Sequence, residues 1–168
     1  MRLFTVGHSS HDPATFVGLL RAHGVDALAD VRSVPYSRRH PQFRRDALAA
    51  TLKTAGVAYV FLGAELGGKG VWDPASAAFQ AGLDRVRDGM TRHTVALMCA
   101  EKDPLTCHRF GLICRALRGE VAIVHILADG SLESQADAEA RLMAEEGVAP
   151  LPLVDDDPLA AALRKRFG

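Results

Sequence analysis

The chain is 168 residues long and 48% hydrophobic, enough for one substantial core and too little for two full-sized domains. Lysine plus arginine and aspartate plus glutamate number 20 each. That balance excludes the broad positive field of a protein held to nucleic acid by its whole surface, so any phosphate-bearing partner must meet a local patch.

Five apolar, β-rich runs, at residues 3–6, 27–31, 57–62, 95–99 and 121–127, alternate with stretches of helical spacing. Near-continuous apolar strands in that order predict an α/β fold: a single domain over residues 1–168, with a mostly parallel sheet of about five strands and helices on both faces in Rossmann-like layering. Asp-Pro recurs at Asp12-Pro13, Asp73-Pro74, Asp103-Pro104 and Asp157-Pro158. Each Asp is expected to cap a helix, because its carboxylate accepts a first-turn N–H while Pro fits the first helical position. Phe110, Ile113, Cys114 and Leu117 follow the spacing of a buried helix stripe. Residues 129–157 hold nine acids, including Glu133, Glu145, Asp155 and Asp156, against Arg141 alone. They predict an acidic, helical C-terminal segment within 128–168 whose face is solvated or meets a basic partner. The opening residues carry no signal-like apolar run, and about eighteen consecutive apolar residues occur nowhere. A cytoplasmic protein without membrane contact is expected. Three cysteines, Cys99, Cys107 and Cys114, argue against a disulfide framework and suit thiols, metal ligands or core filler.

In parallel α/β sheets, ligands bind beyond the carboxyl ends of the strands, where loops and helix N-termini converge. Four segments meet that rule. Gly7-His8-Ser9-Ser10 follows the first strand and offers an imidazole whose pKa near 6.5 suits acid/base work, although a histidine there is equally suited to a structural role. Asp30 and Arg32 lie on one side of the second strand. They form an ion pair, or the carboxylate holds the guanidinium for bidentate capture of phosphate or carboxylate. Beyond them Ser37, Arg38, Arg39, His40, Arg44 and Arg45 concentrate positive charge around Tyr36 and Phe43, an arrangement on which a nucleobase can stack. Gly67-Gly68 reads as a turn or as a close backbone approach to ligand, with Trp72 anchoring the loop or closing over the ligand. No Walker or dinucleotide-binding spacing is present.

The fourth segment, residues 99–109, is the most specific. It sets Cys99 at a strand end, Glu101 two residues on, and Cys107-His108-Arg109 at the next helix start. Glu101 is a candidate general acid or base, or a partner of Arg109. No cofactor is required by the sequence. Cys99, Cys107 and His108 form the alternative, a divalent metal site, since thiolate and imidazole suit zinc or iron. Their spacing matches no standard zinc module, and burial alone accounts for Cys107. A nucleophilic Cys99 would need a lowered pKa. The C-x5-R loop of cysteine phosphatases is absent, because Leu105 is the sixth residue after Cys99.

The combination of GHS at 7–9, DVR at 30–32 with P-x-S at 35–37, LGG at 66–68 and C-A-E-x-D-P-x-x-C-H-R at 99–109 resembles the domain of unknown function 488 family of small prokaryotic proteins. The resemblance spans roughly residues 3–127, the family core, and implies no particular reaction. Three functions are therefore weighed. The first is an enzyme acting on a nucleotide, nucleic acid or other phosphorylated substrate. It would use His8, Asp30 and Glu101 for proton transfer, and Ser9, Arg32, Ser37, Arg38, Arg39, Gly67, Gly68, His108 and Arg109 for binding. The second is a metal or redox protein, and the third a noncatalytic module for nucleic acid or acidic protein.

Overall fold

The alternation of apolar runs and helical stretches yields strands β1 (Arg2–Gly7), β2 (Ala27–Asp30), β3 (Ala58–Phe61), β4 (Val95–Cys99) and β5 (Ala122–Ile126), all parallel. A sixth strand, β6 (Leu132–Ser134), was not legible in the sequence and pairs antiparallel with β5, giving the order β3-β2-β4-β1-β5-β6. Three residues are too few to show an alternating pattern. The structure is a computed structural model describing residues 1–69, 73–148 and 157–167. Gly70, Trp72, Asp155 and Asp156 lie outside the described residues.

Alternate residues of the strands feed two cores. On one face Phe4, Val6, Leu28 and Met98 pack against α1 (Pro13–Ala22) and α2 (Arg45–Thr54) through Phe16, Leu20, Leu48 and Leu52. On the other, Leu3, Ala29, Leu97 and Cys99 pack against α4 (Ala77–Met90) through Phe79, Leu83 and Val86. A single helical turn, α3 (Gly63–Leu66), precedes α4.

Three of the Asp-Pro pairs cap helices as expected. Asp12 accepts the Thr15 N–H at 2.9 Å at the head of α1, and Asp157 accepts that of Leu159 at 3.0 Å at the head of α6 (Pro158–Phe167). Asp73 differs: it closes its own turn on Ala75, and Ser76 caps α4 by accepting from Phe79. Asp103 also caps as expected, accepting the Leu105 N–H at 3.0 Å at the head of a 3₁₀ helix over Pro104–Thr106. The helix after it, Arg109–Cys114, is π-wound. Its wider winding sends Phe110 into a different core from Ile113, Cys114 and Leu117, although all four are buried.

The C-terminal acids do not form a wholly solvated face. α5 (Gln135–Glu145) and α6 bury Ala138, Leu142, Leu159 and Leu163 around Leu105 and Phe110 in a third core. Several acids are paired: Arg141 bridges Asp103 and Glu133, and Arg166 binds Glu145 and Glu146. Among the described residues, no helix is long and apolar enough to cross a membrane.

Candidate functional site

The strand order creates a switch point. β1 and β4 are neighbours, but the chain leaves β1 toward β2 on one side and leaves β4 toward β5 on the other. Connections that part in this way leave a crevice at the carboxyl edge, the usual ligand position in such sheets. Here it is a cleft of about 740 Å³ that takes in His8 and Ser9 from β1, Arg32 to His40 from the β2 loop, and Cys99, Glu101 and His108 from the β4 segment.

One side of the cleft rests on a buried ion pair. Asp30 is fully buried and accepts from Arg32 Nε at 2.9 Å and Nη2 at 2.6 Å, and from the Tyr59 hydroxyl at 2.8 Å. Arg32 Nη1 donates to the Phe43 carbonyl at 2.9 Å and lies 3.2 Å from His8 Nε2. The guanidinium edge that would grip an anion bidentately is thus turned onto Asp30. His8 stacks on Phe43 with ring centroids 4.3 Å apart, and its Nδ1 lies 2.9 Å from the Ser9 carbonyl. Burial pushes its pKa down to about 4, with Arg32 adding to the effect. His8 is therefore neutral, with Nδ1–H donating and Nε2 accepting, and it positions Arg32. Ser9 adopts a φ of 48°, a conformation rare outside glycine that tends to gather at functional sites.

The other side holds the sulfur chemistry. Cys99 Sγ donates to Glu101 Oε2 at 2.9 Å, and His108 Nδ1 lies 3.7 Å from Cys99 Sγ and 3.8 Å from Cys107 Sγ. These three ligand atoms all lie within 4.8 Å of one another, so they could hold a metal ion. His108 Nε2 is 3.0 Å from the Val31 carbonyl and donates to it, leaving the Nδ1 lone pair toward the sulfurs. Contact with Cys107 and burial push the Cys99 thiol up. Cys107 moves down, because its contacts with Cys99 and His108 and the charge of Arg109 outweigh burial. Glu101 is also held below its ordinary range, with the two thiols and Arg109 overcoming the opposing effect of burial.

Two glycines make this convergence sterically feasible. A Cβ on Gly7 would lie 1.9 Å from the Glu101 carbonyl oxygen, and one on Gly68 would lie 2.5 Å from His108 Cγ. Gly67 lies off the cleft, packed on the Gly63 carbonyl and Ser33. Ser37 lines the cleft but also accepts the His40 N–H at 3.0 Å. Arg38, Arg39 and Lys69 line the opening, and among the described residues none of them forms an ion pair.

Arg109 lies beneath the site, 1% exposed, donating to the Glu101 carbonyl at 2.9 Å and to Thr5 Oγ at 3.3 Å. From Thr5 a buried chain continues through His125 and Gln135 to Glu139. Thr5, Tyr59, Lys69, His125 and Gln135 do not figure among the residues predicted from sequence. A polar His125 and Thr5 within otherwise apolar strand runs were the available signal.

The comparisons agree with the motifs. A family model described as domain of unknown function DUF488 matches residues 12–71 and 72–115. The matched range takes in the Asp30-Arg32 pair, Gly67-Gly68 and the whole of 99–109, and the Gly7-His8-Ser9 turn precedes it. No curated protein matches the chain. With more than half of its length matched, the chain belongs to the DUF488 family.

Proposed function

We propose that the protein is an enzyme acting on a phosphate-bearing substrate, a nucleotide or nucleic acid, bound in the cleft between β1 and β4. The observation that carries this reading is the placement of three cations, Arg38, Arg39 and Lys69, that form no ion pair among the described residues, around the same cleft that exposes Glu101. A cation that forms no internal ion pair keeps its charge available to an incoming phosphate. Tyr36 is 56% exposed beside them, with Arg44 stacked 4.7 Å from its ring centroid, and offers a face for a base. Glu101, open to the cleft, is the group placed to move a proton. His8, Asp30 and Arg32 act instead as the frame that sets the loop.

The test uses a short oligonucleotide and a panel of nucleoside phosphates. Removing Arg38 and Arg39 together should weaken binding and flatten its salt dependence by roughly one unit of log–log slope per lost phosphate contact. An unchanged slope would remove the anion assignment. Turnover followed by phosphorus NMR should vanish in Glu101→Gln while binding persists. Binding without turnover by the unaltered protein would replace the enzyme with a binding module.

A further inference from the structure

We infer that Cys99 Sγ, Cys107 Sγ and His108 Nδ1 are three ligands of a zinc ion whose fourth position opens into the cleft. The inference stands apart from the phosphate reading, since metal content can be measured with no substrate present. Its basis is the shape of the group. With zinc bonds of about 2.3 Å to sulfur and 2.0–2.1 Å to nitrogen, a tetrahedral ion separates its sulfur and nitrogen ligands by about 3.5–3.6 Å. The two observed separations, 3.7 and 3.8 Å, depart little from that and converge on one nitrogen. They lie just outside van der Waals contact, close enough for one small ion to bridge.

The surroundings supply what a zinc ligand set needs. His108 Nε2–H is fixed on the Val31 carbonyl, a second contact of the kind that orients a ligating histidine and selects its free nitrogen. The ring packs directly on Gly68, where any side chain would displace it from this position. Cys99 and His108 line the cleft and Cys107 lies behind them, 1% exposed, so the open position faces the ligand space and not the core. Three protein ligands with one open position is the pattern of catalytic rather than structural zinc. Charge also balances: two thiolates neutralise a divalent ion, and the buried Arg109, without an ion pair among the described residues, offsets Glu101 beside the site. Two soft sulfurs and an imidazole favour zinc over magnesium, calcium or manganese. The Glu101 carboxylate accepts the Cys99 thiol proton, which metal binding would release, and lies outside the ligand set.

The test is metal analysis of the full chain purified without a histidine tag. We expect one zinc per chain, and a cobalt-substituted protein with the thiolate charge-transfer and intense visible bands of tetrahedral coordination. Cys107→Ser and His108→Ala should lose the metal and the bands, while Cys114→Ala, which alters a cysteine outside the cluster, should retain both. Should the site variants fail to fold, titration of chelator-treated native protein against a chromophoric zinc indicator decides, with one tight equivalent supporting the site. Folded protein that takes up no zinc and shows no thiolate bands overturns the inference. So does a Cys99–Cys107 disulfide in freshly purified protein, or equal metal content in Cys107→Ser and native protein.

Discussion

Asp30 and Arg32 are joined by two nitrogen–oxygen contacts, 2.9 and 2.6 Å, with neither side chain more than 6% exposed. Removing one member of a buried pair strands the other charge, which generally costs about 3–5 kcal/mol. Asp30→Ala should therefore lower unfolding stability by roughly that amount in urea titrations, and Tyr59→Phe, which removes one hydrogen bond to the same carboxylate, by about 1 kcal/mol. A loss below about 1 kcal/mol for Asp30→Ala would show that the pair behaves as a solvated surface contact.

His125 gives the fold a pH dependence. Burial, reinforced by Arg109, lowers its pKa from 6.5 to about 4. Above pH 6.5 it is neutral both folded and unfolded and adds nothing. As pH falls from 6.5 toward 4 the unfolded chain takes up a proton that the folded chain does not, so stability declines, by about 2 kcal/mol from this group at pH 5. His125→Gln should remove that part of the decline between pH 7 and pH 5. An identical slope in the variant would assign the dependence to other groups.

Gly7 and Gly68 both lack room for a methyl group, but against different neighbours. At Gly7 the obstacle is the Glu101 backbone carbonyl, and at Gly68 it is the His108 ring. A ring can shift a little, whereas the Glu101 carbonyl is held in place by the buried Arg109 guanidinium. Gly7→Ala should therefore prevent folding or yield insoluble protein, whereas Gly68→Ala should fold with a loss of about 1–3 kcal/mol and a displaced His108 ring resonance in NMR spectra. Comparable stability for Gly7→Ala and native protein would contradict the close approach.

Arg141 links α5 to the loop that carries the cysteines, through Asp103 at 3.0 Å and Glu133 at 2.8 Å. It is about one-third exposed, so Arg141→Ala should cost only about 1 kcal/mol globally. Locally, the Leu105 N–H held by Asp103 should exchange faster with deuterium. Unaltered exchange there would mean that the 3₁₀ turn holds without the bridge.

Much of the architecture was legible because burial dictates it. Each of the five long strands was located within a residue or two, since an apolar run between caps has few alternatives. The location at the carboxyl edge followed from the same pattern. The partnerships within it did not. That Arg32 spends its donors on Asp30, Phe43 and His8 depends on β1 and β2 flanking β4, a strand order that local spacing does not encode. Asp73 was misread because Ser76, three residues later, offers the better cap, and the two are locally indistinguishable as capping residues. The acidic run suggested a solvated face because the basic residues at 164–166 lie beyond it in sequence and return to it only through the packing of α6 on α5.

The π-wound stretch from Arg109 to Cys114 sets how much change this region can absorb. An α-helix in its place would carry about one residue fewer over the same rise. Deleting one residue there would restore ordinary winding over nearly the same turn and rise, so Ile113, Cys114 and Leu117 would keep their places in the first core while Phe110 lost its wider spacing into the third. The extra residue works as a phase adjuster between two demands, one set by the cleft and one by the sheet. The segment should therefore tolerate the loss of one residue far better than the gain of another, which no widened turn remains to absorb.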